Sequence, residues 1–119
     1  MNFDFINLQY VDSHNEINNL RGNSSITFYE TDEIDKFNDL DAFASLIAAC
    51  DCIITISNVT AHFAGALGVR TFLLAPYGYG RIWYWSDEGI SKWYPSVHVI
   101  HQKEPDTWAG VINDLTEKF

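Results

Sequence analysis

The chain has 119 residues, 47% of them hydrophobic and 15% aromatic, which suffices for one domain with a real core and excludes a disordered segment. Sixteen acidic residues against seven Lys and Arg leave a formal net charge of −9. That balance excludes general affinity for nucleic acid or an anionic membrane surface, both of which require a basic face.

The opening decapeptide MNFDFINLQY alternates apolar and polar residues and lacks the basic start of a signal peptide, so Phe3 to Leu8 is predicted as a first strand. Ser13-His14-Asn15-Glu16 has the spacing of a capping box, and the helix it opens carries Ile17 and Leu20 and stops at Gly22. Ser25 to Tyr29 is a short β-rich run, followed by an acidic loop from Glu30 to Asp39. Phe43, Leu46, Ile47 and Cys50 then fall on one face of a helix from Asp41. Asp39-Leu40-Asp41 has the D-x-D spacing of some metal-dependent glycosyltransferases, but at a helix start Asp is the expected cap, and capping is the stronger reading.

Cys52 to Ile56 is a continuous β-branched run, typical of a strand covered on both faces. Ser57 or Asn58 caps the next helix, whose Ala61, Ala64, Gly65 and Ala66 allow close approach to a sheet and which ends at Gly68. Thr71 to Ala75 and Val97 to His101 are the fourth and fifth strands. Pro105-Asp106 starts a last helix that turns Trp108, Val111, Ile112, Leu115 and Phe119 inward. Alternating strands and helices with short crossovers imply a single Rossmann-like α/β/α domain over residues 1–119, with a mostly parallel five-stranded sheet.

Between the fourth and fifth strands lie about twenty residues without periodicity, a length that in a compact domain is functional or disordered. Tyr77, Tyr79, Trp83, Tyr84, Trp85, Trp93 and Tyr94 crowd this loop, which argues for order. Gly78-Tyr79-Gly80 fails as a dinucleotide fingerprint because position 83 is Trp, and Arg81 suits a phosphate or a surface carboxylate equally. The richest apolar stretch, Ala42 to Ile56, is broken by Asp51, so no membrane span is predicted.

Cys50 and Cys52, one residue apart and without a second pair, are read as buried reduced thiols of a cytoplasmic protein and not as a disulfide or zinc site. His98 and His101 lie at odd separation on one strand and cannot chelate one metal. The tripeptides Asn23-Ser24-Ser25 and Asn58-Val59-Thr60 match glycosylation acceptors, which carry no weight without a secretory signal.

The turn from Ser57 to His62 is the leading candidate for a site. A helix N-terminus carries roughly +0.5 charge and free amides, so it can hold phosphate in an acidic protein. Asn58, Thr60 and His62 would add side-chain donors. The plainer reading is an ordinary capped helix with His62 tucked against the sheet, since every helix has such an end.

The run ISNVTAHFAGALGVRTFLLAPY, preceded by DLDAFASLIAACDCIIT and followed by SKWYPSVHVIHQ, resembles the C-terminal lobe of heptosyltransferase-like glycosyltransferases. It is most similar to the branch often fused to tetratricopeptide repeats. The resemblance runs from Phe5 through the final helix and implies half of a GT-B fold, the lobe that binds a nucleoside diphosphate sugar. Transfer in such enzymes is metal-independent, so no metal and no cofactor beyond that donor substrate is implied.

Carried across, the donor turn falls on Ser57, Asn58, Val59, Thr60 and His62. Gln9 with Tyr10, and the loop holding Tyr77, Gly78 and Arg81, would complete the donor cleft. Ser57 stands where family members commonly have an acidic residue, and Tyr10-Val11-Asp12 where a basic one is frequent. The family places acceptor and catalytic base on an N-terminal lobe. This chain is therefore expected to be half an enzyme that does not turn over alone, completed by such a lobe or paired as a homodimer through residues 77–95. The alternative is a non-catalytic protein-interaction or nucleotide-binding module derived from such a lobe.

Overall fold

The computed structural model describes residues 2–23, 25–85, 87 and 89–119. Ser24 of the first acceptor tripeptide, and Ser86 and Glu88 of the aromatic loop, lie outside the described residues. The chain divides into two units, residues 1–43 and 44–119.

In the first unit, β1 (Asp4–Ile6), α1 (His14–Asn23) and β2 (Thr27–Tyr29) form a β-α-β unit. The strands pair in parallel with Phe5 opposite Phe28, whose rings stack at 5.3 Å. Both strands are shorter than predicted. Ser13 starts α1, its carbonyl accepting from the Ile17 amide, but its hydroxyl accepts from Asn7 Nδ2 at 2.9 Å. Arg21 in the last turn of α1 reaches β2, donating to the Phe28 carbonyl at 2.6 Å. The acidic loop is locally ordered: Asp35 accepts from the amides of Phe37 and Asn38 and from Asn38 Nδ2. Those bonds hold its carboxyl below the usual range, the Asn38 side chain contributing most.

The division between units falls inside α2 (Leu40–Ala48). Asp39 caps it, Oδ1 accepting from the Ala42 amide at 3.0 Å, as expected for the D-x-D run. Phe43 and Ile47 are fully buried, with Leu46 and Cys50 partly so, which is the apolar face predicted from their spacing.

The second unit holds β3 (Ile53–Ile56), α3 (Val59–Ala66), β4 (Thr71–Ala75), β5 (Gly89–Ile90), β6 (Val97–His101) and α4 (Ala109–Thr116). Its sheet has the order β3-β4-β6-β5, parallel through β6 with β5 antiparallel at the edge. Leu73, Ala75, Val97 and Val99 pack on one face with Ala61 of α3 and Trp85, and Phe72 and Ile100 pack on the other with Val111 and Leu115 of α4. Alternation along β4 and β6 produces those two faces. The C-terminus is pinned beside them: the Arg70 guanidinium lies 5.0 Å from the Phe72 ring centroid and 5.4 Å from that of Phe119, and donates to the Lys118 carbonyl.

The α/β class and the mostly parallel pairing match the sequence reading, whereas the single five-stranded sheet does not. The strands form a two-stranded and a four-stranded sheet. β-propensity and alternation mark a segment as extended without specifying its neighbour. Strand β5 has only two residues and left no periodic signal. β3 is an edge strand with one face open, Ile54 being 43% and Ile56 57% exposed, so it is not covered on both sides as its apolar run implied. Helix α4 starts later than predicted because Asp106 has φ 60°, outside the helical region, and Gln102 Nε2 holds the Thr107 carbonyl at 3.1 Å. Only Val111 and Leu115 of its expected inward set are buried.

Candidate functional site

Parallel sheets place functional turns where strand C-termini meet helix N-termini. The β3–α3 turn is such a place. Asn58 has extended backbone, and its Oδ1 accepts from the Ala61 amide at 3.3 Å and from Thr55 Oγ1 at 3.1 Å. It is therefore the N-cap, and Ser57 precedes it. The first amides of a helix have no intrahelical acceptor; Asn58 takes that of Ala61, and those of Val59 and Thr60 remain on the positive end of the macrodipole. Val59 is exposed and Thr60 buried. At the other end, the Val69 amide returns to the Ala64 carbonyl and the Gly68 amide to that of Gly65, a Schellman closure that needs the φ of 72° at Gly68.

The aromatic loop folds onto this helix. Trp85 is 2% exposed and donates its indole N–H to Ser57 Oγ at 2.9 Å. The Ser57 hydroxyl keeps its own proton to donate. His62 engages Tyr94 Oη through Nδ1 at 3.0 Å and Tyr84 Oη through Nε2 at 3.2 Å. The imidazole also lies 5.1 Å from the Trp85 ring. Tyr94 packs flat against Gly65, where a Cβ would sit 2.4 Å from its Cγ.

Earlier in the loop, the Tyr77 amide donates to Gln102 Oε1 at 2.9 Å, and Gly78 turns the chain at φ 64° so that its carbonyl accepts from the Arg81 amide. The Arg81 guanidinium pairs with the exposed Asp87 carboxylate. Of the two partners open to Arg81 in the sequence, the structure supplies the carboxylate. Tyr79 and Trp83 stand out from the surface. A hollow in this unit lies at the opposite strand edge, around Arg70, Ser96 and Lys118.

The structure thus brings Ser57, Asn58, Val59, Thr60 and His62 to one helix end. Tyr77, Gly78 and Arg81 are in the loop that follows β4, held there through Gln102. Gln9 belongs to the first unit, where its amide donates to Asn7 Oδ1 and its carbonyl accepts from Lys36 Nζ. Sequence reasoning missed Gln102 and the pairing of His62 with Tyr84 and Tyr94. Only the W-Y-W and W-Y-P aromatic clusters signalled the second.

The first unit carries a charged cluster that the sequence did not single out. His14 Nδ1 lies 2.6 Å from Glu30 Oε1 and Nε2 3.7 Å from Asp32 Oδ2, with ligating atoms of all three within 4.8 Å of one another. The two carboxylates address different nitrogens of one ring, and Arg21 lies 3.2 Å from Glu30 Oε2. The three side chains and Arg21 form a polar cluster that joins α1 to the segment just after β2.

Cys50 and Cys52 are free. Burial pushes both thiols up, with Asp51 adding to the effect at Cys50 and Arg70 opposing it at Cys52. Among the described residues no helix is long and apolar enough to cross a membrane.

No family model matches the chain, and no solved structure matches it. Among curated proteins it is similar to Protein FlbA of Caulobacter vibrioides, with 34% identity over 104 residues. That alignment covers 87% of this chain and 17% of FlbA, so the chain spans less than a fifth of the length of the curated relative it matches.

Proposed function

We propose that this chain is the nucleotide-sugar-binding lobe of a heptosyltransferase-like GT-B glycosyltransferase. The observation that carries the reading is the Asn58-capped N-terminus of α3 at the C-terminal end of β3, with the aromatic loop closed over its first turns. The diphosphate would sit on the Val59 and Thr60 amides, with the Ser57 hydroxyl as a further donor. Fixed donors there stabilise the negative charge that develops on the leaving diphosphate, the main contribution such a lobe can make. His62 is already held by two tyrosines, and Arg81 by Asp87, so neither is assigned to the phosphates in the resting state. The similarity to a much longer protein, FlbA, is compatible with a lobe that works beside others. The acceptor and the catalytic base belong, in the GT-B plan, to another lobe, and no residue here is named as base.

Titration of the isotope-labelled chain with UDP, ADP and GDP tests the reading. Amide shifts are expected at Val59, Thr60 and Ala61. No shift at millimolar ligand, or shifts confined to Arg70 and Ser96 at the opposite strand edge, would overturn it.

A second reading, an interaction module, is favoured by the aromatic loop itself. Trp83 is 85% and Trp93 63% exposed, and exposed aromatic side chains are the usual anchors of protein interfaces. A module of that kind would ignore all three nucleotides.

A further inference from the structure

We infer that His62 is a positioning residue: it holds the aromatic loop on α3 through Tyr84 and Tyr94, and influences any ligand at the α3 turn through that loop and not by contact. Both of its ring nitrogens are engaged, at 3.0 Å and 3.2 Å. An imidazole so placed has no N–H left for a phosphate unless a tyrosine lets go. Tyrosine hydroxyls donate or accept, so the clamp is satisfied in either tautomer of His62.

Two further attachments act on the same stretch. Trp85, adjacent to Tyr84, is buried and bonded to Ser57, and the Tyr94 ring occupies the space that the missing Cβ of Gly65 leaves open. Residues 84, 85 and 94 of the loop are therefore fastened to positions 62, 57 and 65, from the turn before α3 to its last turn. Opening the loop would free the Ser57 hydroxyl, expose Trp85 and release His62 together. The geometry couples loop closure to the state of the helix N-terminus. The ligand half of this inference rests on the donor-lobe reading, whereas the loop half does not.

Hydrogen exchange on the full 119-residue chain separates the possibilities, with His62→Phe, the double variant Tyr84→Phe/Tyr94→Phe, and all three changes combined. The loop reporters are the Trp85 indole N–H, the Trp85 amide bonded to Ile82, and the Val97 amide bonded to Tyr94. Each of the first two variants should speed their exchange roughly thirtyfold, the effect of losing two hydrogen bonds of about 1 kcal/mol each. The combined variant should add little, because both routes remove the same pair of bonds. The Leu73 amide in the β3–β4–β6 sheet serves as a folding control: it should speed by no more than the global stability lost with the two bonds and stay far slower than the loop reporters. If His62→Phe disrupts the fold, the tyrosine pair, which removes only two hydroxyls, decides alone.

UDP is then added to each variant. Equal weakening by His62→Phe and by Tyr84→Phe/Tyr94→Phe is expected. Unchanged loop exchange in the tyrosine pair would overturn the inference. So would a UDP site lost in His62→Phe but intact in the tyrosine pair, since that pattern means direct contact. If wild type itself ignores UDP, the donor-lobe reading fails while the exchange data still decide the role of His62.

Discussion

Asn58 carries two roles on one oxygen. Its Oδ1 closes the first turn of α3 and accepts from Thr55 at the end of β3, so it joins strand to helix. Asn58→Ala removes both bonds, and an N-cap loss costs about 1 kcal/mol. For a chain of this size that is a fall of roughly 4 °C in Tm. Thermal melts with and without UDP measure both effects, and an unchanged Tm would show that the cap does not hold the helix. Glycine effects should split by position. Gly65→Ala drives a methyl into the Tyr94 ring and is expected to cost about 1–3 kcal/mol. Gly22→Ala, in exposed helix with no atom within 4 Å of the new Cβ, should stabilise by about 0.5–1 kcal/mol. Urea denaturation of the two variants beside wild type reads the difference in sign.

At the scale of elements, the junction from α2 to β3 is chemically quiet. Cys50 Sγ donates to the Leu46 carbonyl at 3.3 Å and Cys52 Sγ lies 3.7 Å from that of Ile53. Burial raises both thiols, so the unfolded chain loses these protons first as pH climbs. Stability should therefore fall through the alkaline range, from about pH 8.5 upward. A Cys50→Ser/Cys52→Ser variant should show a shallower decline between pH 8 and 10 in urea titrations, and an identical slope would refute the assignment. Iodoacetamide should correspondingly label the folded chain more slowly than the urea-unfolded chain at the same pH.

The loop after β4 is tied to the rest of the second unit at several points. It is anchored at its start by Gln102, which accepts from the Tyr77 amide and donates to the Thr107 carbonyl. At its far end the Ser91 amide donates to the Val97 carbonyl beside β6. Its burial is divided. Trp85 and Tyr94 complete the core around Ala61, Leu73 and Val99, while Trp83, Trp93 and Tyr79 face solvent.

For the whole molecule, a net charge of −9 opposes association by repulsion, and exposed tryptophans favour it. The loop as an association surface gives a direct test. Light scattering should show self-association of the wild type at high concentration, reduced in Trp83→Ser/Trp93→Ser. Trp85 is left intact in this design because it is buried, and its loss would unfold the loop and not merely smooth the surface. A strictly monomeric wild type would remove the loop as an interface between copies. The chain produced alone is also expected not to transfer sugar, because near-attack geometry requires acceptor and base to be held against the donor. Turnover of any donor and acceptor pair by the 119 residues would overturn the half-enzyme proposal.

The sequence by itself determined several features that depend on neighbouring residues. The i, i+3, i+4, i+7 spacing of Phe43, Leu46, Ile47 and Cys50 gave the apolar face of α2, Asp39 announced its cap, Ser57-Asn58 narrowed the cap of α3 to two neighbours of which the structure uses Asn58, and Gly68 marked the end of α3. Each follows from backbone geometry within one or two helical turns, where the chain has few choices. Tertiary structure alone decided the partition of strands into two sheets, the strand β5, the open face of β3 and the partners of His62. Tyr84 and Tyr94 lie 22 and 32 positions beyond His62, and no local pattern encodes a hydrogen bond across that separation. A histidine in a capped first turn looks the same in sequence whether it faces a phosphate or a pair of tyrosines. What distinguishes the two is the path of a loop whose aromatic residues have no period, and that path is fixed only when Trp85 finds the space between α3 and the sheet.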